Sequence, residues 1–404
     1  MSLDTIGEAL DSAGYYLHLY SFTALDSYLG YPGLPSGYLE TDADPAALAR
    51  LFEGLRFPGP DLADAALDEA SPGKPPDCTW YFRCIDRDSP GSRQDSPFTV
   101  LQIRRNWKNR HFLDPRGIYP ALKSLWQCLG NSGRDGGSGQ CTDILLSGGP
   151  GEIFYTAAME AAVLVSRYSR AGEEAALPKA VSALASSVAG LPRGTPPNTE
   201  ALRVLLSAGL LSDRSGMGLQ FLMECGFVET LWPELAAMDN VDHSKEFHPE
   251  GNVWQHTLET LRYRKTADLR LSLGLLLHDS GKPLSESSGS RRFDGHAELG
   301  ASVARKFLNR LEYEPQLIED VCFLVRNHML PAALPRLPLT RTQNILESDL
   351  FPVLMELYRC DESSSFKGLE GYYESSAAYQ TYLRNRKNPY RSADGKKNGK
   401  YYYP

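Results

Sequence analysis

The adjacent pair His278-Asp279 is the first place where this chain offers residue types suited to metal chemistry. A neutral imidazole and a carboxylate side by side suit a divalent ion. The pair follows the apolar run Leu271–Leu277, which reads as a buried helix ending at the two ligands. One pair cannot close a coordination sphere, so further ligands must come from neighbouring helices. Six of the eight histidines lie between 243 and 328, which supplies the candidates.

The helices that would carry them are recognisable by their apolar faces. In Pro315–Met329, Leu317, Val321, Leu324 and His328 recur at 3–4 spacing, which places His328 on the buried face. Leu354, Leu357 and Asp361 recur the same way in Val353–Asp361. A buried carboxylate needs a counter-charge, and a metal would supply it. His256 sits in the amphipathic segment Val253–Arg264, and His296 begins a helix that runs to Leu311. A single histidine on an apolar face is more often a hydrogen-bonded core residue than a ligand. The ordered series His256, His278-Asp279, His296, His328, Asp361 is far more specific, and it predicts a site for divalent metal of the Mn, Mg, Co, Ni or Fe kind.

The rest of the chain frames this site. Its 404 residues are enough for two or three domains. The net charge of -8 argues against a protein that coats nucleic acid generally, though not against a local basic site. Seven scattered cysteines without a Cys-x-x-Cys pair fit reduced thiols. No basic leader or long apolar span stands out, so the expected location is the cytoplasm. Tyr15–Tyr20 and Phe98–Ile103 read as strands, and Pro45–Leu55 reads as a helix. Segments 56–79 and 86–97 read as loops from their Pro, Gly, Ser and Asp content. Helices are expected at Ile153–Arg170, Ala176–Ala189, Glu200–Ser207 and Met217–Cys225. The fold class is therefore mainly α with an α+β N-terminal domain. The expected organisation is a mixed α/β domain over 1–129, a Gly/Ser-rich linker or insert over 130–151 and a helical connector over 152–240. A helical metal-binding domain over 241–379 and a basic Tyr-rich tail over 380–404 complete it.

The order and spacing of the six ligands resemble the HD superfamily of helical metal-dependent phosphohydrolases, over roughly 245–370. The resemblance implies core ligands His256, His278, Asp279 and Asp361, with His296 and His328 added where two metals bind. Asp279 would bridge the ions and serve in catalysis. Lys282, three residues after Asp279, would neutralise phosphate charge, where the bland reading is a solvated loop lysine. The strings Phe247-His-Pro-Glu-Gly-Asn-Val-Trp-Gln-His-Thr and Gly295-His-Ala-Glu-Leu-Gly are similar to the HD subgroup fused behind bacterial tRNA nucleotidyltransferases and poly(A) polymerases. Met217–Leu235, Asp26-Ser-Tyr-Leu-Gly, Thr41-Asp-Ala-Asp-Pro and Asp114-Pro-Arg-Gly extend that likeness forward.

The transferase positions depart from the family pattern. Counting back from Thr41, Ser36 and Tyr38 stand where the family places its metal-holding aspartates, and Asp95-Ser-Pro-Phe-Thr has lost two arginines. The expectation from this departure is a degenerate nucleotidyltransferase-like domain without transferase activity. Function is then expected to be metal-dependent hydrolysis of a nucleotide or a nucleic-acid terminal phosphate, by a phosphodiesterase or phosphatase acting on targets such as a 2′,3′-cyclic phosphate. The alternatives are an RNA- or nucleotide-binding pseudo-enzyme and an HD-type di-iron oxygenase. No membrane partner is expected. Arg104, Arg105, Lys108 and Arg110, with His111 and Trp107 among them, and the basic tail from Arg384 to Lys400 are the candidate RNA contacts.

Overall fold

The computed structural model describes residues 1–59, 62–69, 78–85, 96–114, 117–130, 153–169, 177–242, 251–287, 293–337, 339–365, 368–388 and 392. These divide into two compact units, Met1–Phe227 and Val228–Pro404. Apart from Gly130, the linker expected at 130–151 lies outside the described residues, as do Asp95 and the tail cations Arg391, Lys396, Lys397 and Lys400. No described helix is long and apolar enough to cross a membrane.

The first unit is built on a six-stranded mixed sheet: β1 (His18–Tyr20), β2 (Ser36–Thr41), β3 (Ala65–Glu69), β4 (Cys78–Cys84), β5 (Arg104–Asn106) and β6 (Phe112–Leu113). The order across the sheet is β3-β4-β2-β1-β5-β6, with β2 and β4 parallel and the other pairs antiparallel. Helices α1 (Leu3–Ser12), α2 (Ser21–Leu29), α3 (Pro45–Leu51) and α4 (Tyr119–Gly130) belong with the sheet. Then come α5 (Phe154–Tyr168), α6 (Lys179–Ala189), α7 (Thr199–Leu210) and α8 (Ser215–Glu224). Small residues at Ala157, Ala158, Ala161 and Ala162 allow α5 to be buried along nearly its whole length.

Several expectations are corrected here. Phe98–Ile103 is not a strand: Thr99–Gln102 forms a 3-10 turn, with Leu101 N–H donating to Phe98 O at 3.0 Å. Its apolar, β-branched composition reads as strand, but consecutive burial of Val100, Leu101 and Gln102 demands a tight helical turn. The segment 56–79 is not all loop, because β3 lies inside it. The helix expected over Pro45–Leu55 stops at Leu51, where Phe52 turns extended and Gly54 takes φ +77°. Asp44 caps that helix, accepting from Ala47 N–H at 2.6 Å, and Asp42 accepts from Tyr16 N–H at 2.9 Å.

The second unit is helical: α9 (Phe227–Leu231), at the junction of the units, then α10 (Pro233–Asp239), α11 (Val253–Arg262), α12 (Leu269–Leu277) and α13 (Lys282–Ser287). It continues with α14 (His296–Arg310), α15 (Pro315–Asn327), α16 (Leu330–Ala333), α17 (Leu339–Leu346), α18 (Phe351–Ser363) and α19 (Glu370–Arg386). Asn252 caps α11 and Asp268 caps α12, each accepting a backbone N–H three residues on. α12 is apolar on all sides and runs through the middle, fully burying Leu273, Leu275, Leu276 and Leu277. Gly274 lets Leu324 of α15 and Leu357 of α18 close on it from two directions. That central helix delivers His278-Asp279 to the interior.

Candidate metal centre

Each ligand position follows from where its helix begins or ends. His278 closes α12 and His328 closes α15, while His296 opens α14 after Gly295 in the left-handed region at φ +76°. His256 stands in the middle of α11 on its buried face. Near a helix terminus, backbone carbonyls are free to accept. His278 Nδ1, His296 Nδ1 and His328 Nδ1 each sit 2.7 Å from a carbonyl three residues back, those of Leu275, Phe293 and Val325. A carbonyl can only accept, so these contacts place the proton on Nδ1 and leave Nε2 as a lone pair. His256 Nδ1 is 3.2 Å from Ser364 Oγ, with its Nε2 likewise facing the centre.

Asp279 divides the site. Its Oδ2 lies 3.3 Å from His278 Nε2 and 3.8 Å from His256 Nε2. Its Oδ1 lies 3.5 Å from His296 Nε2 and 3.8 Å from His328 Nε2. Two triplets therefore share this carboxylate, His256–His278–Asp279 and Asp279–His296–His328, each with ligand atoms close enough to hold one ion. Asp361 Oδ1 approaches His256 Nε2 at 3.0 Å. The buried carboxylate expected there is corrected: the Asp361 side chain is 24% exposed beside His256.

The donors fit a cation better than they fit one another. His278 Nε2 is buried and has no hydrogen-bond partner; its 3.3 Å approach to Asp279 is an ion-pair distance without hydrogen-bond geometry. His296 Nε2 and His328 Nε2 face each other at 3.1 Å with both Nδ1 atoms already donating. Two facing lone pairs repel unless a proton or a cation lies between them. Burial, with His278 and His296 nearby, pushes His328 down to about 4 despite the opposing charge of Asp279, so His328 is neutral at pH 7. Four nitrogen donors and carboxylate oxygen are the ligand set expected of a transition metal.

Lys282 is not a solvated loop lysine. It is buried, with Nζ 2.5 Å from Asp279 Oδ2 and 5.3 Å from the Phe293 ring centre. It supplies positive charge on the same oxygen that faces His256 and His278.

Three positioning residues were not singled out from sequence. A Cβ on Gly281 would fall 2.1 Å from His296 O and 2.4 Å from Gly300 N, so this glycine brings the His-Asp turn against the start of α14. Gly300 does the reverse job, and Ser364 orients His256. A glycine two residues after the ligand pair was the available signal.

In the first unit, the structure divides the expected basic patch. Arg104 donates to Glu40 Oε1 at 2.8 Å and Lys108 reaches Asp11 at 2.8 Å. Trp107 is not a stacking surface, because its indole lies against Gly7 and donates to Asp4. Arg105 bonds Ser27 Oγ at 2.6 Å beside exposed Phe112, and Arg110 is exposed. Of the tail cations, Arg384, Arg386 and Lys387 are described, the arginines in the last turn of α19 and Lys387 at its C-cap. Ser36 and Tyr38 lie on β2, and the described residues place both metal-capable triplets in the second unit.

The family model for the HD domain matches residues 253–351. Residues 253–351 form an HD domain. The chain is 35% identical over 187 residues to a CC-adding tRNA nucleotidyltransferase of Thermus thermophilus, covering 43% of this chain and 41% of that protein. It is 36% identical over 121 residues to a Multifunctional CCA protein of Neisseria meningitidis, covering 28% of each. The chain thus spans well under half the length of these relatives. Among solved structures, the Bacillus stearothermophilus CCA-adding enzyme in complex with CTP gives a TM-score of 0.49 at 12% identity, covering 94% of this chain and 81% of that one.

These names correct the functional expectation. The Thermus thermophilus relative is named for nucleotidyl transfer to tRNA, not for hydrolysing phosphate esters. The reading of a phosphohydrolase beside an inactive transferase domain is overturned by them. The pseudo-enzyme and oxygenase alternatives fall with it.

Proposed function

We propose that this chain is a divalent-metal-dependent enzyme that acts on the 3′ end of tRNA by nucleotidyl transfer, with its HD domain holding the metal. The observation carrying the transfer reading is the 35% identity over 187 residues to a CC-adding tRNA nucleotidyltransferase. Metal binding is supported by geometry. His256, His278 and Asp279, with Asp361 beside His256, would hold one ion, and Asp279, His296 and His328 a second. Such cations would supply charge neutralisation at phosphate oxygens. Lys282 would add a fixed positive charge beside Asp279 Oδ2.

Ser36 and Tyr38 offer no carboxylate to a metal on β2, so transfer must be read directly. Purified full-length chain is incubated with tRNA lacking its 3′-terminal nucleotides, radiolabelled CTP or ATP, and Mg or Mn. Metal-dependent lengthening of the tRNA is the expected result. No lengthening with either nucleotide, under conditions where a CCA-adding enzyme extends the same tRNA, would refute the transfer reading.

A further inference from the structure

On the face of the sheet opposite Tyr38, Glu40 and His18, a cavity of about 230 Å3 opens between α2 and the adjoining ends of β2 and β4. The two-residue period of strands places Gly37 and Trp80 there, because Tyr38 and Tyr81 point the other way. Its walls are Thr23, Ser27 and Asp26 from α2, Tyr31 and Leu34 from the following loop, and Trp80. The Trp80 ring covers Gly37 so closely that a Cβ there would fall 2.2 Å from it, so the glycine is what admits the indole. Trp80 Nε1 donates to Glu69 Oε2 at 3.3 Å, which fixes one edge of the ring.

The polar lining is mostly hydroxyl. Asp26 adds no free negative charge to it, because Arg167 binds both its oxygens, at 2.6 and 2.9 Å. The volume lies below the roughly 300–1,000 Å3 of drug-sized pockets and suits one nucleobase with part of its sugar. The rim carries the complementary charge. Ser27 lines the cavity and accepts from Arg105 Nη1 at 2.6 Å. A guanidinium has five donors, and the bond to Ser27 and a long one to Arg110 O use two. Beyond Arg105, exposed Tyr28 and Phe112 meet edge to face at 5.1 Å, and Arg105 lies 5.5 Å from the Phe112 ring centre. In the β5–β6 hairpin, 104–113, Glu40 engages Arg104 and Asp11 engages Lys108, so the hairpin's charge for this rim comes from Arg105 and exposed Arg110.

We infer that this cavity takes one unpaired base of a single-stranded RNA segment, stacked against Trp80, with the adjoining phosphate on Arg105 and the next base against Tyr28 and Phe112. Single-stranded RNA is read in this way, by aromatic stacking with basic contacts to the backbone. The site takes up the RNA partner of the proposed function, but it requires no turnover and is tested without nucleoside triphosphate.

A fluorescein-labelled RNA pentanucleotide is titrated into the full chain by anisotropy at several salt concentrations. Trp80→Leu removes the stacking surface and should weaken binding about tenfold. Leu34→Trp fills the cavity from a loop and should weaken it similarly, with unchanged circular dichroism and melting showing that the fold persists. Arg105→Gln should weaken binding and lower the salt dependence by about one phosphate contact. Wild-type affinity in both Trp80→Leu and Leu34→Trp would overturn the inference, as would failure of the wild-type chain to bind the oligonucleotide. A chain that binds RNA through this cavity and does not extend tRNA would leave this inference standing and refute only the transfer reading.

Discussion

Replacing Glu160 with Gln should stabilise the protein above neutral pH and do little at pH 5. Glu160 lies on α5, where Ser96 Oγ donates to its Oε2 at 2.6 Å. Burial pushes its carboxyl up from the usual 4.5 to about 7, against the Ser96 hydrogen bond that favours the charged form. In the unfolded chain the proton is lost near 4.5, while the folded chain keeps it until about 7. Between these values the native state binds more protons, so stability falls as pH rises, and the loss is complete above about 7. At roughly 1.4 kcal/mol for each tenfold step, the full penalty is about 3 kcal/mol. Glutamine keeps an acceptor for Ser96 and never ionises. Urea unfolding of wild type and Glu160→Gln, followed by circular dichroism at pH 5 and pH 8, measures the difference. A variant gain of about 3 kcal/mol at pH 8 that shrinks to under about 1 kcal/mol at pH 5 is expected. An equal effect at both values would refute the claim that the carboxylate is buried and strained by ionisation.

Two other substitutions probe the framework. Asp26 holds Arg167 by two bonds and accepts from Tyr168 at 2.7 Å, all buried, so Asp26→Ala leaves a buried guanidinium unpaired and should cost about 3–5 kcal/mol in a denaturation experiment. Gly281→Ala should lower both melting temperature and metal retention, because its Cβ would meet backbone atoms of α14 rather than a movable side chain.

The metal centre was legible because its ligands follow chain order and sit on helices with plain apolar faces. His328 and the Leu317–Leu324 stripe share one face, and the Leu271–Leu277 run could only be a buried element. The likeness to the HD superfamily already implied that Asp279 bridges two ions; what sequence could not show was the facing lone pairs of His296 and His328, which arise from tertiary geometry. The sheet was mostly hidden. In β4, Cys78, Trp80, Phe82 and Cys84 alternate with Thr79, Tyr81 and Arg83, but an aromatic Tyr81 on the polar face and only seven residues of strand leave the period easy to miss. β3 lies within a segment otherwise marked by Pro, Gly and Asp, and only pairing with β4 makes it a strand.

Metal content tests the centre most directly. Full-length chain and Asp279→Asn, both stripped with chelator, are equilibrated with Mn by dialysis and measured by elemental analysis, with melting curves taken in parallel. Asparagine keeps the volume of the side chain but removes the negative charge that both triplets share. The wild-type chain should retain metal and melt higher with it, and Asp279→Asn should lose most of both effects. Equal retention by the two proteins, or none by wild type, would contradict this expectation.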